Sequence, residues 1–312
     1  MLPSIHLGPT GVELRPLGLG AWAWGDKRVW QFDPVTGPSD AREAWQATLD
    51  AGITLVDTAE MYGSGKSEEI VGQLQKESGR PVFIATKFAP LPYRVSSAEL
   101  PKALYRSLAR LQLETVDLYQ VHWPWSLLRI SALMDRMADA VEAGQVRYVG
   151  VSNYNEGQMR RAHAALARRG VPLVSNQVHY NLLTRGPESN GVLAACRELN
   201  VTLIAYSPLA QGALTGKYRP ETAKAGGIRR WRGPFRNLDK VMPVVETLEK
   251  VGREHGRTAG QVALNWLARQ DHVLPIPGAK NGRQAAENAG SIDFDITDAE
   301  AAEIERVSRH WK

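Results

Sequence analysis

Three features of the sequence predict an α/β fold built as a (β/α)8 TIM barrel, with an N-terminal β-hairpin and extra helices near the C-terminus. Short β-branched apolar runs alternate with longer amphipathic patterns along almost all of the 312 residues, which is how βαβ units around a parallel sheet read in sequence. Polar residues recur at the tips of those runs, where such a barrel builds its active site. The glycine turn of an open dinucleotide-binding sheet is missing: PLGLGAWAWG offers Gly18 and Gly20 but no third glycine and no following helix.

The first element is a hairpin in SIHLGPTGVEL, turning at Gly8-Pro9-Thr10-Gly11. Strands are expected near 16–20, 53–56, 82–86, 116–121, 147–151, 173–177, 202–205 and 273–276. Helical patterns lie between them near 39–51, 65–78, 97–110, 130–142, 155–168 and 191–199, with two more near 239–255 and 258–269 and a last near 281–289. Ser39, Ser97 and Thr258 stand where a side-chain oxygen can cap free N–H groups at a helix start. Gly52, Gly144 and Gly170 follow the ends of helical patterns, as C-terminal caps do. No linker, repeat or low-complexity tract divides the chain, so residues 1–312 are expected to form a single domain.

Composition narrows the class. With 43% hydrophobic and 23% charged residues the chain reads as a folded soluble protein rather than a disordered or fibrous one. Its start lacks the basic and apolar regions of a secretion signal, and no long uncharged apolar run is present, so no membrane partner is expected. Cys196 is the only cysteine, which excludes an internal disulfide and a cysteine metal cluster and fits a cytoplasmic location. A net charge of +5 and a pI near 9.3 suit nucleic acid and a phosphorylated small ligand equally, and the excess is too small to decide between them. Arg219, Lys224, Arg229, Arg230, Arg232 and Arg236 crowd a stretch in which Glu221 is the only acid and Gly226, Gly227, Pro220 and Pro234 mark a loop. That stretch is either a solvated loop or a lid over anionic phosphates.

The strand tips carry the chemistry. ITLVDTAEMYG puts Asp57 at one tip and Tyr62 in the loop beyond it, VFIATK ends in Lys87, and DLYQVHW carries His122. Singly, each has an ordinary structural use. Together they point to general acid catalysis, with a lysine ammonium lowering the pKa of the tyrosine and an aspartate holding the lysine. Later tips supply Ser152 and Asn153, Gln177, Tyr206, Ser207 and Lys217. These groups suit a planar carboxamide-bearing ring and a pyrophosphate beyond it. In LPIPGAKNGRQAAEN, Lys280 and Arg283 stand at the start of a helix, a ready anion site.

The pieces GLGAWAWG, VDTAEMYGSGKSEE, IATK, DLYQVHWP, VRYVGVSNY, SNQVHYN, AYSPLAQGALTGKY, QVALNW and IPGAKNGRQAAEN, in this order, resemble the aldo-keto reductase superfamily over nearly the whole chain. The resemblance implies an NAD(P)H-dependent oxidoreductase that reduces aldehydes or ketones to alcohols, with Asp57, Tyr62, Lys87 and His122 as its tetrad and Tyr62 as proton donor. It assigns Ser152, Asn153 and Gln177 to the nicotinamide carboxamide, Tyr206 to stacking on that ring, and Ser207, Leu209, Gly212 and Lys217 to the pyrophosphate. Ala279, Lys280, Gln284, Glu287 and Asn288 fall to the adenosine and its 2′-phosphate, and Gly20, Ala21, Trp22, Ile276 and Gly278 complete the cofactor set. Many members have Lys-Ser after Ile-Pro and Arg at the position of Gln284; here Gly278-Ala279 stand there, with Lys280 and Arg283 nearby. The expected cofactor is NADP(H), with NADPH preferred over NADH. His122 favours carbonyl reduction, because members that reduce steroid carbon–carbon double bonds carry Glu there.

Trp22, Trp24, Phe88 and Trp123 stand beside strand tips and are expected to wall the pocket of a small carbonyl substrate. No metal is implied; the partner expected is that small-molecule carbonyl substrate, with no nucleic acid, and a monomer or weak homo-oligomer is expected. Two other readings use the same residues. One is an NADPH-binding regulatory subunit with slow turnover; the other is a Schiff-base aldolase acting through Lys87.

Overall fold

A computed structural model describes residues 1–124, 127–221 and 233–311. Strands β1 (Ile5–His6) and β2 (Glu13–Leu14) form the expected antiparallel hairpin, with Ile5 opposite Leu14. The hairpin buries Leu7 and Leu14 against Leu55, Leu118, Val174, Ile204 and Leu274. Its turn needs glycine: Gly8 has φ +53°, and a Cβ there would stand 2.7 Å from the Val174 carbonyl oxygen.

The eight following strands are β3 (Leu19–Gly20), β4 (Leu55–Asp57), β5 (Phe83–Phe88), β6 (Val116–Val121), β7 (Val146–Ser152), β8 (Leu173–His179), β9 (Thr202–Tyr206) and β10 (Val273–Ile276). They lie parallel and side by side in chain order. The two ends of that sheet meet. Gly18 N–H donates to the Pro275 carbonyl at 3.0 Å and Gly20 N–H to Pro277 at 2.9 Å, and Gly20 bridges to Gly278. A Cβ on Gly20 would press to 3.0 Å of the Ile276 carbonyl oxygen, so the closing seam is built from glycine. Runs such as FIATKF and VDLYQV are buried along nearly their whole length, as strands covered on both faces must be.

Helices α1 (Gly37–Asp50), α2 (Lys66–Ser78), α3 (Glu99–Leu111), α4 (Ile130–Glu142), α5 (Glu156–Ala167), α6 (Gly186–Ser189), α7 (Val192–Glu198), α8 (Leu238–His255), α9 (Ala259–Ala268), α10 (Gly282–Ala289) and α11 (Asp298–Ser308) complete the order. Helices such as α3 bury one stripe, whereas α9 is buried at all ten positions. In α3 the stripe is Leu100, Ala103, Leu104, Ser107, Leu108 and Leu111, spaced three and four residues apart as a helical period requires.

Thr258 caps α9 as expected, in a capping box with Gln261. Ser39 and Ser97 do not cap. Helix α1 begins two residues earlier, behind Thr36, with Pro38 in its first turn; proline lacks the N–H a cap would satisfy and its fixed φ already suits the helix. Helix α3 begins behind Ala98, and Ser97 offers Leu100 only its backbone carbonyl. Gly52, Gly144 and Gly170 all take positive φ just past helix ends. Helices α6 and α11 are additions to the expected set. The second was readable, since Thr297 and Glu300 form a capping box at its start.

No described helix is long and apolar enough to cross a membrane, and no described His, Cys, Asp or Glu group is placed to hold a metal ion. Of the basic stretch, Lys224, Arg229, Arg230 and Arg232 lie outside the described residues. Arg219 is described and pairs with Glu249 at 2.5 Å.

Candidate active site

Lys87 organises the C-terminal end of the barrel. It sits on β5 with its side chain fully buried, and its ammonium donates to Asp57 Oδ1 at 2.5 Å, to the Thr58 carbonyl at 2.8 Å and to Tyr62 Oη at 3.3 Å. All three N–H groups therefore have acceptors. Asp57, at the tip of β4, is held from its other side: its Oδ2 accepts from Gln177 at 2.8 Å and from Gln120 at 3.3 Å. Tyr62 opens a tight turn over Tyr62–Gly65 in which Gly63 has φ +56°, and a Cβ on Gly63 would meet the Gly25 carbonyl oxygen at 2.7 Å. The turn thus needs a glycine to seat the tyrosine against the neighbouring loop.

His122 follows β6. Its backbone N–H donates to the Phe88 carbonyl at 2.8 Å, its ring lies flat on Trp123 with centroids 3.7 Å apart, and Tyr62 meets it edge-on at 5.9 Å. Its Nδ1 is buried and without a hydrogen-bond partner. The four residues expected to act together are brought together.

Their electrostatics differ from expectation in one respect. Burial raises the Tyr62 pKa well above the ordinary phenol value, and the charge of Asp57 adds to the rise. The sequence predicts that Lys87 lowers it; in the folded chain desolvation of the phenolate and a nearby carboxylate outweigh that single cation. Burial also pulls Lys87 down, against the upward pull of Asp57. His122 is held well below the ordinary imidazole value by burial and then by the charge of Lys87. The site therefore presents a neutral phenol, a neutral imidazole and a cation behind the phenol oxygen.

A groove of about 460 Å³ runs from these residues across the barrel mouth. It is lined by Asp57, Tyr62, Trp22, Gly20 and Trp30, by Tyr206, Ser207, Leu209, Gly212 and Lys217, and by Ile276, Gly278, Lys280, Arg283, Gln284, Glu287 and Asn288. Thirteen of the expected cofactor residues thus line one continuous surface. Ala21, Ser152, Asn153, Gln177 and Ala279 do not line it. Ser152 donates to the Gln177 carbonyl at 2.9 Å. Asn153 donates to the His122 carbonyl at 3.1 Å and accepts from Tyr206 Oη at 3.0 Å. These two hold the wall in place.

Two of the expected substrate residues are corrected. Trp24 and Phe88 are 1% and 0% exposed and present no face to the groove. Trp24 donates through Nε1 to the Ala279 carbonyl at 2.9 Å, pinning its loop to the segment that carries Gly278 and Lys280. Phe88 follows Lys87 on the same strand, and side chains alternate across a sheet, so it faces the helix layer and not the barrel interior. Trp22 and Trp123 remain partly exposed beside the tetrad.

Sequence reasoning missed Trp30 and His179. Trp30 meets Trp22 edge-on at 5.5 Å, and Lys280 Nζ donates to its carbonyl at 2.7 Å. His179 stacks on Tyr206 at 5.2 Å. Trp30 lies in an irregular loop, where no periodicity marks it. His179 was readable as the next inward-facing position after Gln177 on β8.

The model described as Aldo/keto reductase family matches residues 16–309. The chain belongs to that family of oxidoreductases. Among the aldo/keto reductases it is similar to, the "Pyridoxal reductase, chloroplastic" of Arabidopsis thaliana is 36% identical, with 98% of this chain and 86% of the relative covered. An aldo-keto reductase of Schizosaccharomyces pombe whose name carries NADP(+) is 38% identical, with 86% and 83% covered. A crystal structure of an aldo/keto reductase from Klebsiella pneumoniae in complex with NADP and acetate superposes with a TM-score of 0.78 at 27% identity, covering 98% of this chain and 95% of that one. In the present aldo/keto reductase the groove fits such a nucleotide on its own chemistry. An aromatic ring, Tyr206, stands beside the tetrad, a glycine with φ +99°, Gly212, leaves room at the centre, and cations stand at Lys217, Lys280 and Arg283.

Proposed function

We propose that this aldo/keto reductase reduces aldehydes or ketones to alcohols, using NADPH in preference to NADH and Tyr62 as the proton donor. The observation that carries the reading is the contact of Tyr62 Oη with Lys87 Nζ at 3.3 Å, with Lys87 fixed by Asp57 at 2.5 Å. A bound nicotinamide nucleotide supplies the hydride. Tyr206 would stack on its ring, Ser152, Asn153 and Gln177 would frame the carboxamide, and Ser207, Leu209, Gly212 and Lys217 would follow the pyrophosphate. Lys280, with Gln284, Glu287 and Asn288, would take the adenosine and its 2′-phosphate, over a floor of Gly20, Trp22, Ile276 and Gly278 with the buried Ala21 and Ala279 beneath it.

The chain's own residues handle the proton. Tyr62 keeps its proton at neutral pH because burial disfavours the phenolate, and it can donate to an oxygen that is gaining negative charge. Lys87 then stabilises the phenolate that remains. His122 is neutral and positions the carbonyl oxygen by a hydrogen bond. Trp22, Trp30 and Trp123 wall the place of the reacting carbon and exclude water from it.

Flat aromatic aldehydes suit those walls, and pyridoxal, named in the Arabidopsis relative, heads the set to assay. We read residues 1–312 as one domain, a cytoplasmic monomer or weak homo-oligomer acting on small carbonyl compounds. The test is NADPH oxidation with pyridoxal, 4-nitrobenzaldehyde and a panel of ketones. If bound NADPH survives every carbonyl in single-turnover experiments, the chain is a nucleotide-binding subunit and the reading fails.

A further inference from the structure

An ion pair outside the groove, Glu60 with Arg94, closes on Ala89 and so joins the two segments that carry the reacting groups. Glu60 stands two residues before Tyr62, and Ala89 stands two residues after Lys87. Arg94 grips Glu60 as a two-pronged fork, Nη1 to Oε1 at 2.5 Å and Nη2 to Oε2 at 2.9 Å. Both partners then close on one residue, Ala89, through the peptide groups on either side of it. Glu60 Oε1 accepts from the Ala89 N–H at 2.7 Å, and Arg94 Nη1 donates to the Ala89 carbonyl at 2.7 Å. The side chains are only 8% and 7% exposed, and the guanidinium lies over the Phe88 ring at 5.1 Å.

The positions alternate along the loop after β4. Thr58 and Tyr62 both meet Lys87, and Glu60 between them meets Ala89. The loop that carries the phenol is therefore stitched to the end of β5 at every second residue, 58, 60 and 62. Burying two charges is costly and stabilises a protein only when the geometry is excellent. A fork-to-carboxylate pair fixes both distance and angle, which an apolar pair of the same volume would not.

We propose that Glu60 and Arg94 are positioning residues that bolt the Tyr62 loop to the Lys87 strand and so set the separation of phenol and ammonium. This rests on the proposed reading that those two groups carry the proton. The charged and titratable groups facing Tyr62 are Asp57, Lys87, His122 and Tyr206. The bolt is a paired charge behind them, so its effect on Tyr62 passes through geometry.

The experiment compares wild type with Arg94→Lys, which keeps the charge and loses the fork, and with Glu60→Gln, which keeps an acceptor for Ala89. Per active site titrated with NADPH, kcat should fall about tenfold or more in each, because sub-ångström displacement of a reacting group carries losses of that order. The dissociation constant of NADPH should stay within about twofold, and the alkaline limb of the kcat profile should move. Arg94→Ala should regain turnover when guanidinium is added. Unchanged kcat per titrated site and an unchanged pH profile in correctly folded Arg94→Lys and Glu60→Gln would overturn the proposal. A separate measurement does not use turnover: NMR titration of ring-labelled tyrosine, with Tyr62 assigned through Tyr62→Phe. If wild type reduces no carbonyl, the functional reading falls while this titration still decides the bolt. A Tyr62 signal that titrates alike with and without the fork sinks it, and a displaced titration supports it.

Discussion

The Tyr62 hydroxyl lies 3.3 Å from the Lys87 ammonium, yet its pKa stands well above that of an ordinary phenol. A cation that close would by itself favour the phenolate. Here the same cation is neutralised by Asp57 at 2.5 Å, and the phenol of the half-buried Tyr62 is desolvated. On the proposed reading, the arrangement would hold the proton on Tyr62 at rest and stabilise the phenolate left when a reacting oxygen takes it.

Tyr62→Phe should lower kcat for carbonyl reduction by about a hundred- to ten-thousand-fold, the range of a positioned general acid, with NADPH affinity nearly unchanged. Stopped-flow hydride transfer and fluorescence titration measure the two. Comparable turnover in the variant would remove Tyr62 from the mechanism.

The raised Tyr62 value fixes the alkaline side of the pH profile. Reduction should be flat through neutral pH and decline only above the ordinary phenol value of 10.0. A decline that starts near neutrality would show a phenol shifted downward instead.

His122 gives a stability prediction of defined sign. Its folded pKa lies below the free value of 6.5, so between the two the unfolded chain binds more protons than the folded one, and stability rises with pH there. The contribution is complete above 6.5 and is lost as pH falls below it. Urea unfolding at neutral and mildly acidic pH should show a shallower acid-side loss in His122→Asn than in wild type.

Lys280→Ala should weaken NADPH far more than NADH. A hydrogen bond to a charged group is worth about 1.5–3 kcal/mol, which is about tenfold or more in affinity. Lys280 has to leave the Trp30 carbonyl, 2.7 Å away, to meet a phosphate. Equal losses for both cofactors would place the phosphate site elsewhere.

Gly150→Ala should destabilise the fold by about 1–3 kcal/mol, the usual cost of overpacking a core. Its new Cβ would stand 2.3 Å from Ser175 Oγ and 2.9 Å from Gln120 Cγ. Gln120 also holds Asp57, so turnover should fall with stability. Denaturant midpoints and kcat test both.

Composition, periodicity and residue order determined a great deal: eight parallel strands, the hairpin, and four polar residues at three consecutive strand tips. These are local signals, because strand and helix periods repeat within a few residues and a barrel sends every strand tip to one face. The orientation of Phe88 was equally local, since alternation from Lys87 turns it away from the barrel interior. Trp24 and Trp30 sit in an irregular loop that has no period to read, and only packing buries one and leaves the other in the groove. The direction of the Tyr62 shift and the bolt of Glu60 to Arg94 also belong to the tertiary structure. Desolvation and charge act through space between residues 25 to 34 positions apart, and no pattern along the chain records that distance.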